Sequence, residues 1–151
     1  MRQSGFTLVE LIVVMIIVGI VAVAALPRFF PNQTFETRAF YERALSMVRY
    51  GQKVAIAQRR NVFVNVDAAS RTVCLTYVTD ADCTAATGVT DPASAGKFSI
   101  TAPAGITLSA TFSFSFSPLG QPDPALVPSL NIVGDGTTRT ITVTKETGYV
   151  Y

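Results

Sequence analysis

Residues 5–27 read GFTLVELIVVMIIVGIVAVAALP, and Glu10 is the one charge among them. From Leu11 to Leu26 no charged or strongly polar side chain interrupts the run. A helix from Phe6 to Leu26 would reach roughly 32 Å at the α-helical rise, about the thickness of a bilayer core. Val and Ile are middling helix formers in water, but lipid obliges backbone groups to pair within the segment, so a helix is the expected state. An unpaired carboxylate in such a helix costs about 2.5 kcal/mol or more, so Glu10 needs a partner or a reason. Pro27 lacks a backbone donor and predicts a kink or a stop. Arg28 with Phe29 and Phe30 behind it suits a membrane–water interface.

The chain has 151 residues, room for one compact domain and an appendage. Its net charge of +2 hides an asymmetry: residues 28–60 carry a balance of +5 and residues 61–151 a balance of −3.

Residues 34–60 predict an amphipathic helix. Phe40, Ala44, Met47, Val48, Gly51 and Ala55 recur at steps of three and four and form an apolar stripe. Arg38, Glu42, Arg49, Lys53 and Arg60 fall elsewhere on the wheel. Arg59 and Arg60 close the helix where its dipole favours cations, and Asn61 is the expected left-handed cap. Gly51 lowers helix propensity, which predicts close approach of a neighbouring backbone.

After Asn61 the period becomes two. Val62 to Val66 and Arg71 to Val78 alternate around a turn at Asp67–Ser70. Residues 79–97 read as a loop. Phe98–Ile100, Ile106–Leu108 and Phe112–Phe116 read as strands, and Pro118–Pro128 as a proline-rich connection. Leu130–Val133 and Thr138–Thr144 flank Gly134-Asp135-Gly136, a hairpin signal, and Tyr149–Tyr151 adds a final edge. The expected fold class is α+β: an N-terminal helix and an amphipathic helix packed on an antiparallel β-sheet domain.

The string G-F-T-L-x-E at residues 5–10, the sixteen uncharged residues behind it and Pro27 resemble the leader and anchor of type IV pilins and type II secretion pseudopilins. The basic helix ending A-I-A-Q-R-R-N-V, the strand after it and the closing E-T-G-Y-V-Y look like the GspH/FimT-like minor members. The resemblance implies a pilin-like fold and a division into leader peptide (1–5), transmembrane and assembly helix (6–26), kink and amphipathic helix (27–60) and periplasmic β domain (61–151). It implies that prepilin peptidase cuts between Gly5 and Phe6 and N-methylates Phe6. Glu10 then becomes the assembly glutamate, paired in a fibre with the amino group of a neighbour's Phe6, and Pro27 the kinking proline. A buried pair of this kind specifies register more than it adds stability. The implied partners are other pilin or pseudopilin subunits, the peptidase and the bacterial inner membrane, which the chain crosses once with its C-terminal domain in the periplasm.

A competing reading is an ordinary secretory signal, because Ala22-Val23-Ala24 resembles an A-x-A cleavage site. A single Arg2 before the run and the intruding Glu10 weigh against it. Arg28, Arg38 and Arg43 on the C-terminal side do not by themselves favour export of that side; the leader and the cysteines do.

Cys74 and Cys83 are the two cysteines. In an exported domain they predict a disulfide worth about 2–3 kcal/mol on the loop-entropy model, with two free buried thiols as the alternative. Their spacing does not suit C-x-x-C redox chemistry, and without His they make a poor zinc site. Asp80, Asp82 and Asp91 read as a solvated acidic loop rather than a calcium site, and no cofactor or metal is expected. The chain has no His, so neither a Ser-His-Asp nor a Cys-His arrangement can be built, and a structural subunit is expected rather than an enzyme. One further binding reading concerns the basic helix: Arg49, Lys53, Arg59 and Arg60 have the spacing to follow phosphates, as in a DNA- or ligand-binding subunit at a fibre tip.

Overall fold

The computed structural model describes residues 7–25, 32–85, 88–123 and 129–151. The chain forms two compact units, divided after Asn32.

The first unit holds α1 (Leu8–Ala25), an 18-residue helix. Its side chains from Leu8 to Val23 are all exposed. Among the described residues no helix is long and apolar enough to cross a membrane. Both expected ends, Phe6 and Leu26, lie outside the described residues, as do Gly5, Pro27, Arg28, Phe29 and Phe30.

In the second unit α2 (Asn32–Gln58) begins two residues earlier than the periodicity indicated. The whole expected stripe is buried: Phe40, Ala44, Met47, Val48 and Ala55 are at most 3% exposed, and Gly51 is buried with them. Thr37 extends the stripe because its hydroxyl donates to the Gln33 carbonyl at 2.7 Å, so burial leaves the hydroxyl satisfied.

The helix end differs from expectation. Arg59, not Asn61, takes the left-handed conformation, at φ 50°. Arg60 N–H donates to the Ala55 carbonyl at 3.2 Å and Arg59 N–H to that of Ile56 at 3.4 Å. This is a Schellman closure, two residues earlier than an Asn61 cap would give.

Among the described residues eight strands follow, in two antiparallel sheets. The first contains β1 (Val62–Asp67), β2 (Thr72–Thr76), β3 (Ser99–Thr101), β5 (Phe112–Phe116) and β6 (Pro122–Asp123), ordered β3-β2-β1-β5-β6. The second contains β4 (Thr107–Leu108), β7 (Leu130–Gly134) and β8 (Thr137–Ile141), ordered β4-β7-β8. The β7–β8 hairpin turns through Asp135 and Gly136, both at positive φ, as a type I′ turn requires. Strand β6 lies inside the expected proline-rich connection. Among the described residues it pairs with β5 alone, and such an edge position tolerates Pro122, which lacks a backbone donor. The segment expected to end the chain does pair: Thr142 and Tyr151 exchange two backbone hydrogen bonds, and Val143 bridges Val150.

Strand alternation sorts the five-stranded sheet into two faces. Val62, Val64, Val66, Val73, Leu75, Phe114 and Phe116 line the face beneath α2 and are almost completely buried. Asn65, Cys74, Thr76 and Ser113 line the opposite face.

Candidate assembly surfaces

In α1, Thr7 precedes the first helical residue and its hydroxyl accepts the Glu10 N–H at 3.3 Å. Thr7 is therefore the N-cap and Glu10 the third helical residue. Thr-x-x-Glu is the capping-box pattern, and a carboxylate in the first turn also suits the helix dipole. The expected pairing of Glu10 concerned a neighbouring chain. The T-L-V-E spacing carries a local role as well, which the sequence reading passed over.

The four basic residues expected to follow phosphates are all exposed, and two of them also have partners within the domain. Arg49 donates to the Val150 carbonyl through Nε at 3.1 Å and Nη2 at 2.9 Å. The Arg60 guanidinium carbon lies 3.7 Å from the centroid of the Tyr77 ring, a cation–π contact produced by the Schellman turn at Arg59. Lys53 and Arg59 are exposed, and among the described residues neither side chain has a hydrogen-bond partner.

Gln52 joins three elements. Its Nε2 donates to the carbonyls of Gly120 at 2.9 Å and Thr147 at 3.2 Å. Gly148, at φ +67°, rests on the Gly120 carbonyl where a Cβ would have no room. The turn after β5, the C-terminal turn and the last helical turns of α2 are thereby gathered at one place.

On the opposite face of the sheet, Cys74 and Cys83 form a disulfide with Cα atoms 5.8 Å apart. It closes a loop over Asn65, which is fully buried. The Asn65 side chain donates to Thr76 Oγ1 at 2.7 Å; its carbonyl accepts the Ser113 hydroxyl at 2.5 Å and the Asp80 N–H at 3.2 Å. Two neighbouring strands and the disulfide loop thus converge on one buried amide, the arrangement that makes burying it tolerable. Alternation alone marks Asn65 as an outward polar residue. The covering loop that buries it carries no periodic signal.

The acidic residues of that region serve their own turns. An Asp80 carboxylate oxygen accepts the Ala85 N–H at 2.7 Å. Asp91 accepts the Ala93 N–H at 2.9 Å and the Ser94 hydroxyl at 2.7 Å. These bonds, the Ala93 amide foremost, with the nearby Arg43 charge, hold the Asp91 carboxyl below its usual range against a small opposing effect of burial. Among the described residues no three His, Cys, Asp or Glu gather in a metal-holding group.

Residues 1–26 match the prokaryotic N-terminal methylation motif. Two solved structures share the fold. The type IV minor pilin FimU of Pseudomonas aeruginosa has a TM-score of 0.58 and 18% identity, over 78% of this chain and 88% of that one. The minor pseudopilin EpsH of the type 2 secretion system of Vibrio cholerae has a TM-score of 0.53 and 18% identity, over 79% and 94%. By motif and by fold, this is a pilin-like chain. A type IV narrow pilus major component, PilA5 of Thermus thermophilus, is 34% identical over 62 residues, which make up 41% of the pilin-like chain. The match spans about half of that relative's length, 53%. The likeness to FimU and EpsH includes the β domain, where identity is too low for sequence to carry it. The α+β architecture expected from the sequence is the pilin architecture observed.

Proposed function

We propose that the chain is a minor pilin or pseudopilin subunit, stored in the bacterial inner membrane with its C-terminal domain in the periplasm and drawn into a type IV pilus or a type II secretion pseudopilus. The reading rests chiefly on one coincidence: a methylation motif over residues 1–26 heads a chain whose second unit has the fold of FimU and EpsH. Prepilin peptidase cuts between Gly5 and Phe6 and methylates Phe6. The apolar helix then anchors the subunit, and burial against neighbouring helices drives assembly. Glu10 takes the amino group of an adjacent Phe6 as its partner, a pairing that sets register. The role is structural: the α2–sheet unit is a rigid body for the anchor to carry.

The experiment is mass spectrometry of the N-terminus, with membrane fractionation and recovery of sheared fibres. A mature chain starting at N-methylated Phe6 in the inner membrane and in fibres is expected. A mature chain starting at Ala25 and released to the soluble fraction overturns the reading. Gene deletion separates the two machines, since loss of surface fibres marks a pilus and retention of exoproteins marks a pseudopilus.

A further inference from the structure

Two surface features on opposite faces of the five-stranded sheet complement each other. The first is on the α2 side. Ile56 is 48% exposed and packs against Gly120, and the adjoining Leu119 is 80% exposed. Gln52 holds the Gly120 turn in place, so this apolar step on the surface has a fixed backbone. Lys53 and Arg59 lie three residues to either side of Ile56 and give the step a basic rim.

The second feature is the disulfide loop behind the sheet. Val78 is 48% exposed and Asp82 is exposed. The loop is closed by Cys74–Cys83 and pinned through the Asp80 N–H to Asn65. Asn65 faces away from α2, because Val64 and Val66 on either side of it face the helix. The loop therefore presents an apolar residue and a carboxylate on a constrained backbone, on the face opposite the step.

We propose that the Val78–Asp82 loop of one copy docks on the Ile56–Leu119 step of a second copy, Val78 covering the apolar side chains and Asp82 facing Lys53 and Arg59. The inference rests on the reading of the chain as a fibre subunit. The charges are complementary in the large as well as locally: residues 28–60 carry +5 and residues 61–151 carry −3. The two surfaces differ and lie on opposite faces, so the contact is heterologous and leaves a free step and a free loop at the ends of any row of copies, as an open fibre needs. The disulfide and Asn65 lower the ordering cost of the loop. The contact is small, and anchoring in a shared membrane or fibre supplies the effective concentration it needs.

The test places a photo-cross-linking benzoylphenylalanine at position 119 of the full chain in its native membranes. The expected product is a dimer whose cross-link maps to residues 78–82 of the second copy. Lys53→Glu with Arg59→Glu should lower its yield about fivefold or more, and Asp82→Lys in the second copy should restore it. A cross-link to another polypeptide or to another part of the second copy, no dimer, or a yield indifferent to both charge reversals overturns the contact. The N-terminal mass and fibre recovery measured in the same cells report separately on the fibre-subunit reading. A processed, fibre-borne chain without the cross-link sinks the contact alone; an unprocessed soluble chain sinks the reading.

Discussion

Gly51 and Leu75 meet where α2 crosses the sheet: a Cβ on Gly51 would stand 3.0 Å from Leu75 Cδ2 and 3.7 Å from Val62 Cγ1. The close approach expected of a neighbouring backbone is made by a side chain. Leu75 is fully buried, so its methyl has little room to yield. Gly51→Ala gains about 1 kcal/mol of helix propensity and meets an overpacking cost of about 1–3 kcal/mol. The expected result is a net loss of about 1 kcal/mol in urea denaturation, turned to a gain in the Leu75→Val background relative to Leu75→Val alone. A gain in the unaltered background would show that the helix is free to lift.

Why Gly51 was legible and Asn65 was not is a matter of range. The stripe of α2 is a local pattern, and every residue in it is buried for the reason its spacing gives. Asn65 sits at the polar beat of a strand, and its burial depends on a loop some fifteen residues away. The Arg60–Tyr77 contact was illegible for a related cause: two backbone bonds around Arg59 close the helix and turn the next side chain onto Tyr77. Strand β6 was hidden because Pro122 argues against any strand with two neighbours. The anchor was read from an uncharged run of membrane length and from the G-F-T-L-x-E string ahead of it, and its expected ends lie outside the described residues.

Asn65 and the disulfide should act as one unit. Removing the bridge with Cys74→Ser and Cys83→Ser releases a loop between residues nine apart in sequence and is expected to cost about 2–3 kcal/mol by the loop-entropy model. Asn65→Val orphans the Asp80 N–H and the Ser113 hydroxyl and should cost about 1–3 kcal/mol. In the bridgeless background the loop can move and its amide can reach water, so Asn65→Val should cost less there, by about 0.5 kcal/mol or more. Strict additivity in a double-mutant cycle would show that loop and amide are independent.

Two turn carboxylates predict an acid limb. The Asp67 carboxyl is held below its usual value of 3.8, first by the Ser70 side chain and then by the Ala69 and Ser70 amides, with burial opposing. Asp91 is lowered from the same value by the Ala93 amide, Ser94 and Arg43. A carboxyl whose folded pKa is depressed contributes stability above its unfolded pKa and loses it as pH falls through the folded one. The stabilising share of each group is therefore full near neutrality and declines below about pH 4. Asp67→Ala and Asp91→Ala should each lower the urea midpoint at pH 6 by more than at pH 2.5. An equal loss at both pH values would assign the effect to turn geometry rather than to charge.

The Thr7 hydroxyl that accepts the Glu10 N–H separates two roles that a single substitution at Glu10 would confuse. One is local, the third position of a capping box; the other is the charge proposed to take a neighbour's amino group. Glu10→Gln keeps a side chain suited to the box and removes the charge, whereas Glu10→Leu removes both. Thr7→Ala removes the cap and leaves the carboxylate, at a cost to helix stability of about 1 kcal/mol. If the charge sets register, Glu10→Gln and Glu10→Leu should both leave Gly5 cleavage and membrane insertion intact and deplete the subunit from sheared fibres, while Thr7→Ala assembles. If the box is what matters, Glu10→Gln should assemble normally, and Thr7→Ala and Glu10→Leu should fail together. Quantitative immunoblots of sheared fibres against total membrane subunit distinguish the two outcomes. The first is expected, because an exposed cap contributes about 1 kcal/mol, whereas an unpaired carboxylate in lipid costs at least about 2.5 kcal/mol.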